Sequence, residues 1–232
     1  MSVNITAGIP AILDEANPSA NLGLRYVAPD GRVYRYAKAG AALTVGNILQ
    51  SRAEDTGEQG ITPGVVALGA TSFTTTSTMT VTANQYAGGY VTVTVTPDLG
   101  STYRIKSHPA ATAAALTVQL AEPIRTAWTA ATRIDFVPNP YDGVVVAPTT
   151  PTATLVGAAS NDLTSGQYGW IQSAGPCNVL ADSAGVAVGG QVSLSNATNG
   201  SVESFVSGQQ IVGRAMTGIA ASENGLIFLD LD

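Results

Sequence analysis

At 232 residues with a formal net charge of −6, the chain is too acidic for general binding to a nucleic-acid backbone. Charged residues make up 11% and hydrophobic ones 45%, against roughly 25% charged in ordinary soluble domains. The missing charge points to a surface covered by other chains or dressed in Thr, Ser, Asn and Gln. No apolar run approaches the roughly 20 residues of a membrane helix, and the single cysteine, Cys177, excludes an intrachain disulfide or a cysteine-based zinc site.

The opening MSVNITAGIPAILDEANPSA has neither the basic start nor the long apolar core of a signal peptide. With two prolines and no period, residues 1–20 read as an extended arm that orders on a neighbouring subunit or surface. LGLRYVAPDGRVYRYAKAG (22–40) predicts a hairpin around Pro29-Asp30-Gly31. Alternation there puts Arg32, Tyr34 and Tyr36 on one face, and Val33, Arg35 and Ala37 on the other. Arg and Tyr are enriched at protein interfaces, so Arg25, Arg32, Tyr34, Arg35 and Tyr36 are the candidate protein-binding residues. The plainer alternative is a hairpin whose tyrosines cover the edge of a core.

Glu54, Asp55 and Glu58 follow in RAEDTGEQG, without calcium-loop spacing, and read as solvated charges. Between Glu58 and Asp98 there is no charged side chain at all. Within that stretch TMTVTA and YVTVTVT alternate, with Met79, Val81, Val91, Val93 and Val95 on one face and threonines on the other. NQYAGGY between them reads as a hairpin connection. An uncharged strand edge recruits other strands unless it is covered, so this segment reads as an interface.

His108, the only histidine, stands before a proline, where the chain is extended and away from any Ser or Cys constellation. Lys38 and Lys106 lack the Gly-Lys-Ser/Thr setting of a phosphate loop. The chain therefore reads as a non-enzyme with no catalytic, cofactor-binding or metal-binding residues. Residues 110–131, AATAAALTVQLAEPIRTAWTAA, offer helix propensity for one short helix or two turns.

RIDFVPNPYDGVVVA is strand, proline-locked turn and strand, and Pro148 to Pro151 marks the best boundary. Short strands with Gly-rich turns fill the remainder, from GWIQSAG to GLIFLDL. YRYAKAGAALTVGNILQS and WIQSAGPCNVLADSAGVAVGGQVSLS echo each other faintly, which a shared turn vocabulary explains better than a true repeat. The expected fold is all-β or nearly so, with β-barrel or β-sandwich-like antiparallel domains and at most one short helix. Its divisions are the arm 1–20, a β-rich domain 21–147 and a C-terminal β-barrel-like domain 148–232. Alternatively, the last strands pair with the first ones in one discontinuous domain. Charge is uneven: residues 1–133 carry nine bases and eight acids (+1), whereas 134–232 carry Arg214 against eight acids (−7).

RVYRYAKAGAALTVGNILQ, NQYAGGYVTVTVTPDLGSTYRIKSHPA, VQLAEPI, NPYDGVVV, YGWIQSAGPCNVLA and IVGRAMTGIAASENGLIFLDL together resemble tailed-bacteriophage structural proteins encoded near the major capsid protein. Among these the likeness is to capsid decoration, or cement, proteins, and it is one of pattern across most of the chain. The resemblance implies a β-rich virion protein on the outer capsid surface, assembled in the host cytoplasm and stabilising the shell. Its partners would be the major capsid protein and further copies of itself in a homotrimer, with no nucleic acid, membrane or cofactor. Capsid exteriors in such phages are commonly negative, so the resemblance implies that Arg25, Arg32 and Arg35 face the capsid. The −7 region, with Asp182 and Glu203, would then face solvent. The alternative is a tail or fibre receptor-binding module, which should show an aromatic-lined pocket. A glycan-active enzyme, third, should show converging carboxylates.

Overall fold

The computed structural model describes residues 14–232, and the chain is nearly all β. Fifteen strands and a single 3-10 turn (Thr56–Glu58) account for the regular structure among the described residues. They fall into two compact units. The first joins the chain up to Ala53 to everything from Pro140 onward, and the second is Glu54–Asn139.

The first unit contains β1 (Arg25–Val27), β2 (Val33–Ala39), β3 (Ile48–Gln50), β9 (Asp142–Val146), β10 (Leu155–Ala159) and β11 (Tyr168–Leu180). It also contains β12 (Gln191–Leu194), β13 (Val202–Ser204), β14 (Ile211–Ala215) and β15 (Asn224–Asp230). The sheet order is β1-β2-β9-β3-β10-β11-β15-β14-β12-β13, and an extra pairing of β2 with β11 closes β2-β9-β3-β10-β11 into a barrel. The 13-residue β11 makes this possible. Its first half pairs with β2 and its second half, from Ala174, with β15, so one strand serves both the closed barrel and the open sheet beyond it. Leu43, Leu49, Val144, Leu163 and Ile171 belong to one core, and Val179, Val192, Val212, Ile227 and Leu229 to another.

The expected break at Pro148–Pro151 does not divide the chain. β3, before it, pairs with β10, and β2 with β11, so the early and late segments form one discontinuous unit. Residues 1–13 of the expected arm lie outside the described residues. Residues 14–20 are tied to this chain's own β11 and the connection before it: the Glu15 and Tyr168 backbones exchange two hydrogen bonds of 2.9 and 2.8 Å, and Thr164 Oγ1 donates to Asp14.

Four eight-residue connections in this unit share one geometry: 39–46 (AGAALTVG), 159–166 (ASNDLTSG), 182–189 (DSAGVAVG) and 215–222 (AMTGIAAS). The fifth residue of each is buried and bridges its counterpart in a second copy, Leu43 to Leu163 and Val186 to Ile219. The eighth residue takes a left-handed φ, from 59° at Ser222 to 85° at Gly46. That φ aims its N–H at the first residue of the paired copy, Gly46 to Ala159, Gly166 to Ala39, Gly189 to Ala215 and Ser222 to Asp182, at 2.8–3.0 Å. The echo in the sequence joined only the first and third of these, and it is a repeated structural device rather than turn vocabulary alone.

The second unit holds β4 (Ser72–Val81), β5 (Tyr90–Val95), β6 (Thr102–Ser107), β7 (Ala111–Leu120) and β8 (Arg133–Val137) in the order β4-β7-β6-β5-β8. Residues 61–66 close the ring, bridging Ile134 on β8 through Ile61 and Thr75 on β4 through Pro63. Phe73, Val91, Tyr103, Leu116, Trp128 and Phe136 belong to its core.

Three expectations change here. The alanine-rich segment is strand β7, not helix: Leu116, Val118 and Leu120 alternate into the core, and ladder pairing with β4 outweighs alanine's helix propensity. NQYAGGY is not a hairpin connection, because β4 pairs with β7 while β5 lies between β6 and β8. Val95 does not join Val91 and Val93, because a register shift between Val93 and Val95 turns it out to 41% exposure.

β4 itself carries two extra residues between the Thr74–Thr117 and Thr78–Ala115 pairs. The buried Thr75 hydroxyl fills the gap, accepting from Leu116 N–H at 2.9 Å and donating to Ser77 O at 2.8 Å. Thr75→Val should therefore strand a buried N–H and cost about 1–3 kcal/mol. Urea denaturation measures it, with the exposed Thr78→Val as a control expected within about 0.5 kcal/mol of the parent.

Candidate interaction surfaces

The tyrosines of the β1–β2 hairpin do not reach a partner. Tyr34 and Tyr36 are 1% and 0% exposed and pack with Trp170 beneath Ala20, Leu22 and Tyr26. The sequence placed them correctly on one face, but the chain's own residues 14–24 and β1 cover that face. Tyr36 OH donates to Glu15 at 2.7 Å and accepts from Ser19 N–H at 2.9 Å, which fastens the covering segment.

The arginines are largely engaged within the chain. Asp232 accepts from Arg25 Nε and Arg35 Nε, each at 3.2 Å, from Arg35 Nη2, and from Ser173 Oγ at 3.2 Å. Burial pushes the Asp232 carboxyl up, and the hydrogen bonds from Arg35 and Arg25 pull it below its ordinary value. Arg35 also donates to Gly23 O and stands 5.8 Å from the Tyr141 ring centre. Arg32 bonds Asp30 in its own turn at 2.7 Å. These contacts hold the hairpin and the end of β15 together, and they correct its reading as a ready-made docking surface.

Several acids read as solvated are structural. Glu58 is buried and receives Asp55 N–H, while Asp55 receives Gly57 N–H, a capping box on the 3-10 turn. Asp182, also buried, accepts from Ala184 N–H and Ser195 Oγ, and Glu203 accepts from Asn196 N–H. His108 is buried in the second unit: Nε2 accepts from Tyr86 N–H at 3.0 Å, and Nδ1–H faces Pro109 O at 2.8 Å. Both ring nitrogens thus serve the fold. Burial pushes the Cys177 thiol up to about 12, which leaves it an unreactive core group. Among the described residues no cluster of three or more His, Cys, Asp or Glu is placed to hold a metal ion.

Asp98, at a left-handed φ of 73°, gathers several polar contacts in the second unit. Its carboxylate accepts from Ser101 Oγ at 2.6 Å, Tyr103 OH at 2.7 Å and Trp128 Nε1 at 2.9 Å. Burial raises its pKa, and these bonds together lower it below the ordinary value. No sequence pattern joins the four, which come from a turn, a strand and a distant loop.

The surface that stands out is the outside of β4, β7 and β6. Thr74, Thr76, Thr78 and Thr80 on β4, with Thr112, Ala114 and Thr117 on β7, are exposed. Two of the hydroxyls bond across the ladder, Thr74 to Thr117 at 2.8 Å. Neither strand contributes a charge. The adjoining β6 presents Arg104 and Lys106 on its outer side, and among the described residues neither makes an ion pair. The signal was in the sequence: Arg104 and Lys106 alternate with Tyr103 and Ile105 in TYRIKS, just as the threonines alternate with Val and Met. No protein-family model matches this chain, and neither the curated proteins nor the solved structures yield a match.

Proposed function

We propose that this chain is a structural virion protein that binds the outside of a tailed-phage capsid and stabilises the shell as a trimer. One observation carries the reading. The second unit exposes a broad sheet face of hydroxyls and methyls with no charge on β4 or β7, bordered by two cations on β6 that make no ion pair among the described residues. A soluble monomer normally blunts such a face with interspersed charge. A partner that covers it meets hydroxyls, which cost far less to desolvate than charges, and side chains with few rotamers to freeze. Arg104 and Lys106 suit a negative capsid exterior and take the role first assigned to the hairpin arginines.

Undecorated capsids provide the test. Thr74→Lys and Thr117→Glu should each weaken capsid binding by about tenfold or more, with far-ultraviolet circular dichroism unchanged because both positions are exposed. Arg104→Ala should also weaken binding and flatten its salt dependence. Full binding by all three variants would remove this face from the capsid contact.

A further inference from the structure

In the first unit the outer side of β12, β14 and β15 combines exposed apolar groups with charges of both signs. Phe228 on β15 is 51% exposed and Ile211 on β14 is 48% exposed. Arg214 stands across the ladder from Phe228, Gln191 across from Arg214, and Asp230 two residues along β15. With Gly213 they line an open pocket of about 550 Å³. Arg214 is the only basic residue after Arg133. Among the described residues neither Arg214 nor Asp230 has an ion-pair partner, and they do not pair with each other.

An apolar centre rimmed by hydrogen-bonding and charged groups has the composition of a protein interface, with Phe228 placed as its anchor. A uniformly acidic partner would satisfy Arg214 and repel Asp230, and a basic one would do the reverse. A surface that offers one cation and one anion, each unpaired, is complementary to itself. We propose that this face is where three copies of the chain meet around a threefold axis, with their Phe228 side chains packed together and Arg214 of each copy opposite Asp230 of the next. Exposed Leu226 and Met216 extend the same contact along the ends of β15 and β14. This deepens the oligomeric half of the proposed function and is independent of the capsid-binding face.

Multi-angle light scattering across micromolar concentrations tests it on the full chain. The parent protein should be an oligomer. Arg214→Asp and Asp230→Arg should each weaken association by about tenfold or more, and the double exchange should restore it. Mixing the two single variants should fail to restore the parent mass, because a ring of three always leaves one contact between like charges; restored mass would show a twofold contact and overturn the threefold arrangement. Phe228→Ser should also weaken association without altering charge, and decides the matter if a charge variant misfolds. A monomeric parent, or an oligomer indifferent to all these changes, overturns the proposal. Capsid binding is read separately: a monomer that still binds capsids removes this interface alone, whereas a charge-swappable oligomer that ignores capsids removes only the capsid reading.

Discussion

Asp98→Ala should destabilise the second unit by about 3 kcal/mol, because it strips a shared acceptor from two buried donors. Trp128 and Tyr103 are both fully buried, and their Nε1–H and O–H meet at the same Asp98 oxygen. Each buried donor left unsatisfied costs about 1–3 kcal/mol. Asp98 itself is half-buried, so a water can enter the vacated space and hold the total near the lower end of that sum. Urea denaturation followed by tryptophan fluorescence reads the loss, and Trp128 emission should change in the folded state as well. Asp98→Asn keeps one acceptor oxygen and should lose about half as much.

The same carboxylate makes an acid signature. The folded chain binds the Asp98 proton more weakly than the unfolded chain, whose carboxyl has its ordinary value of 3.8. Its stabilisation is therefore fully present above that value and disappears as the pH falls through the lower folded value. The stability gap between the parent and Asp98→Asn should be constant at neutral pH and narrow below pH 3.8. A gap that persists undiminished in acid would show that the hydrogen bonds do not depend on the ionised form.

What the sequence made legible was local. The period of two in TMTVTA and YVTVTV put Met79, Val81, Val91 and Val93 inside but failed at Val95, and PDG marked a real hairpin. Pairing across long separations was not legible. β4 meets β7 rather than β5, across a bulge filled by the Thr75 hydroxyl, and alternation reveals neither the partner nor the bulge. Alanine in β7 carried the wrong propensity because strand pairing, not the residue's own preference, decides its conformation there. The hairpin tyrosines were on the expected face, yet their exposure depended on residues 14–24 lying over them. Arg25 and Arg35 were found, but their partner Asp232 lies about 200 residues away, at separations of 207 and 197. The candidate site moved accordingly, from a cluster conspicuous in composition to a face conspicuous for lacking charge.

Gly213→Ala should have the largest effect of any single methyl group, about 4 kcal/mol or more, and should abolish the native first unit under mild denaturant. A Cβ at this position would lie 2.1 Å from Phe228 O, 3.0 Å from Phe228 C and 3.2 Å from Leu229 Cα. All three atoms are backbone of β15, so no rotamer change relieves the clash. β14 would have to move off β15 at the Gly213–Leu229 pair, directly over the buried Val212, Ile227 and Leu229. Gly218→Ala is the matched control. Its nearest neighbour would be Val186 O at 3.8 Å, an ordinary contact, and it takes no left-handed φ. That change should be neutral, or stabilising by about 0.4–1 kcal/mol through a less flexible unfolded chain. Nothing in IVGRAMTGIA distinguishes the two glycines. The difference arises because β14 is pressed against β15 at Gly213, whereas Gly218 lies in the open connection that follows. Chemical denaturation of both variants separates the two causes. An equal loss at both positions would mean that flexibility of the chain, rather than room for a methyl group, requires glycine at position 213.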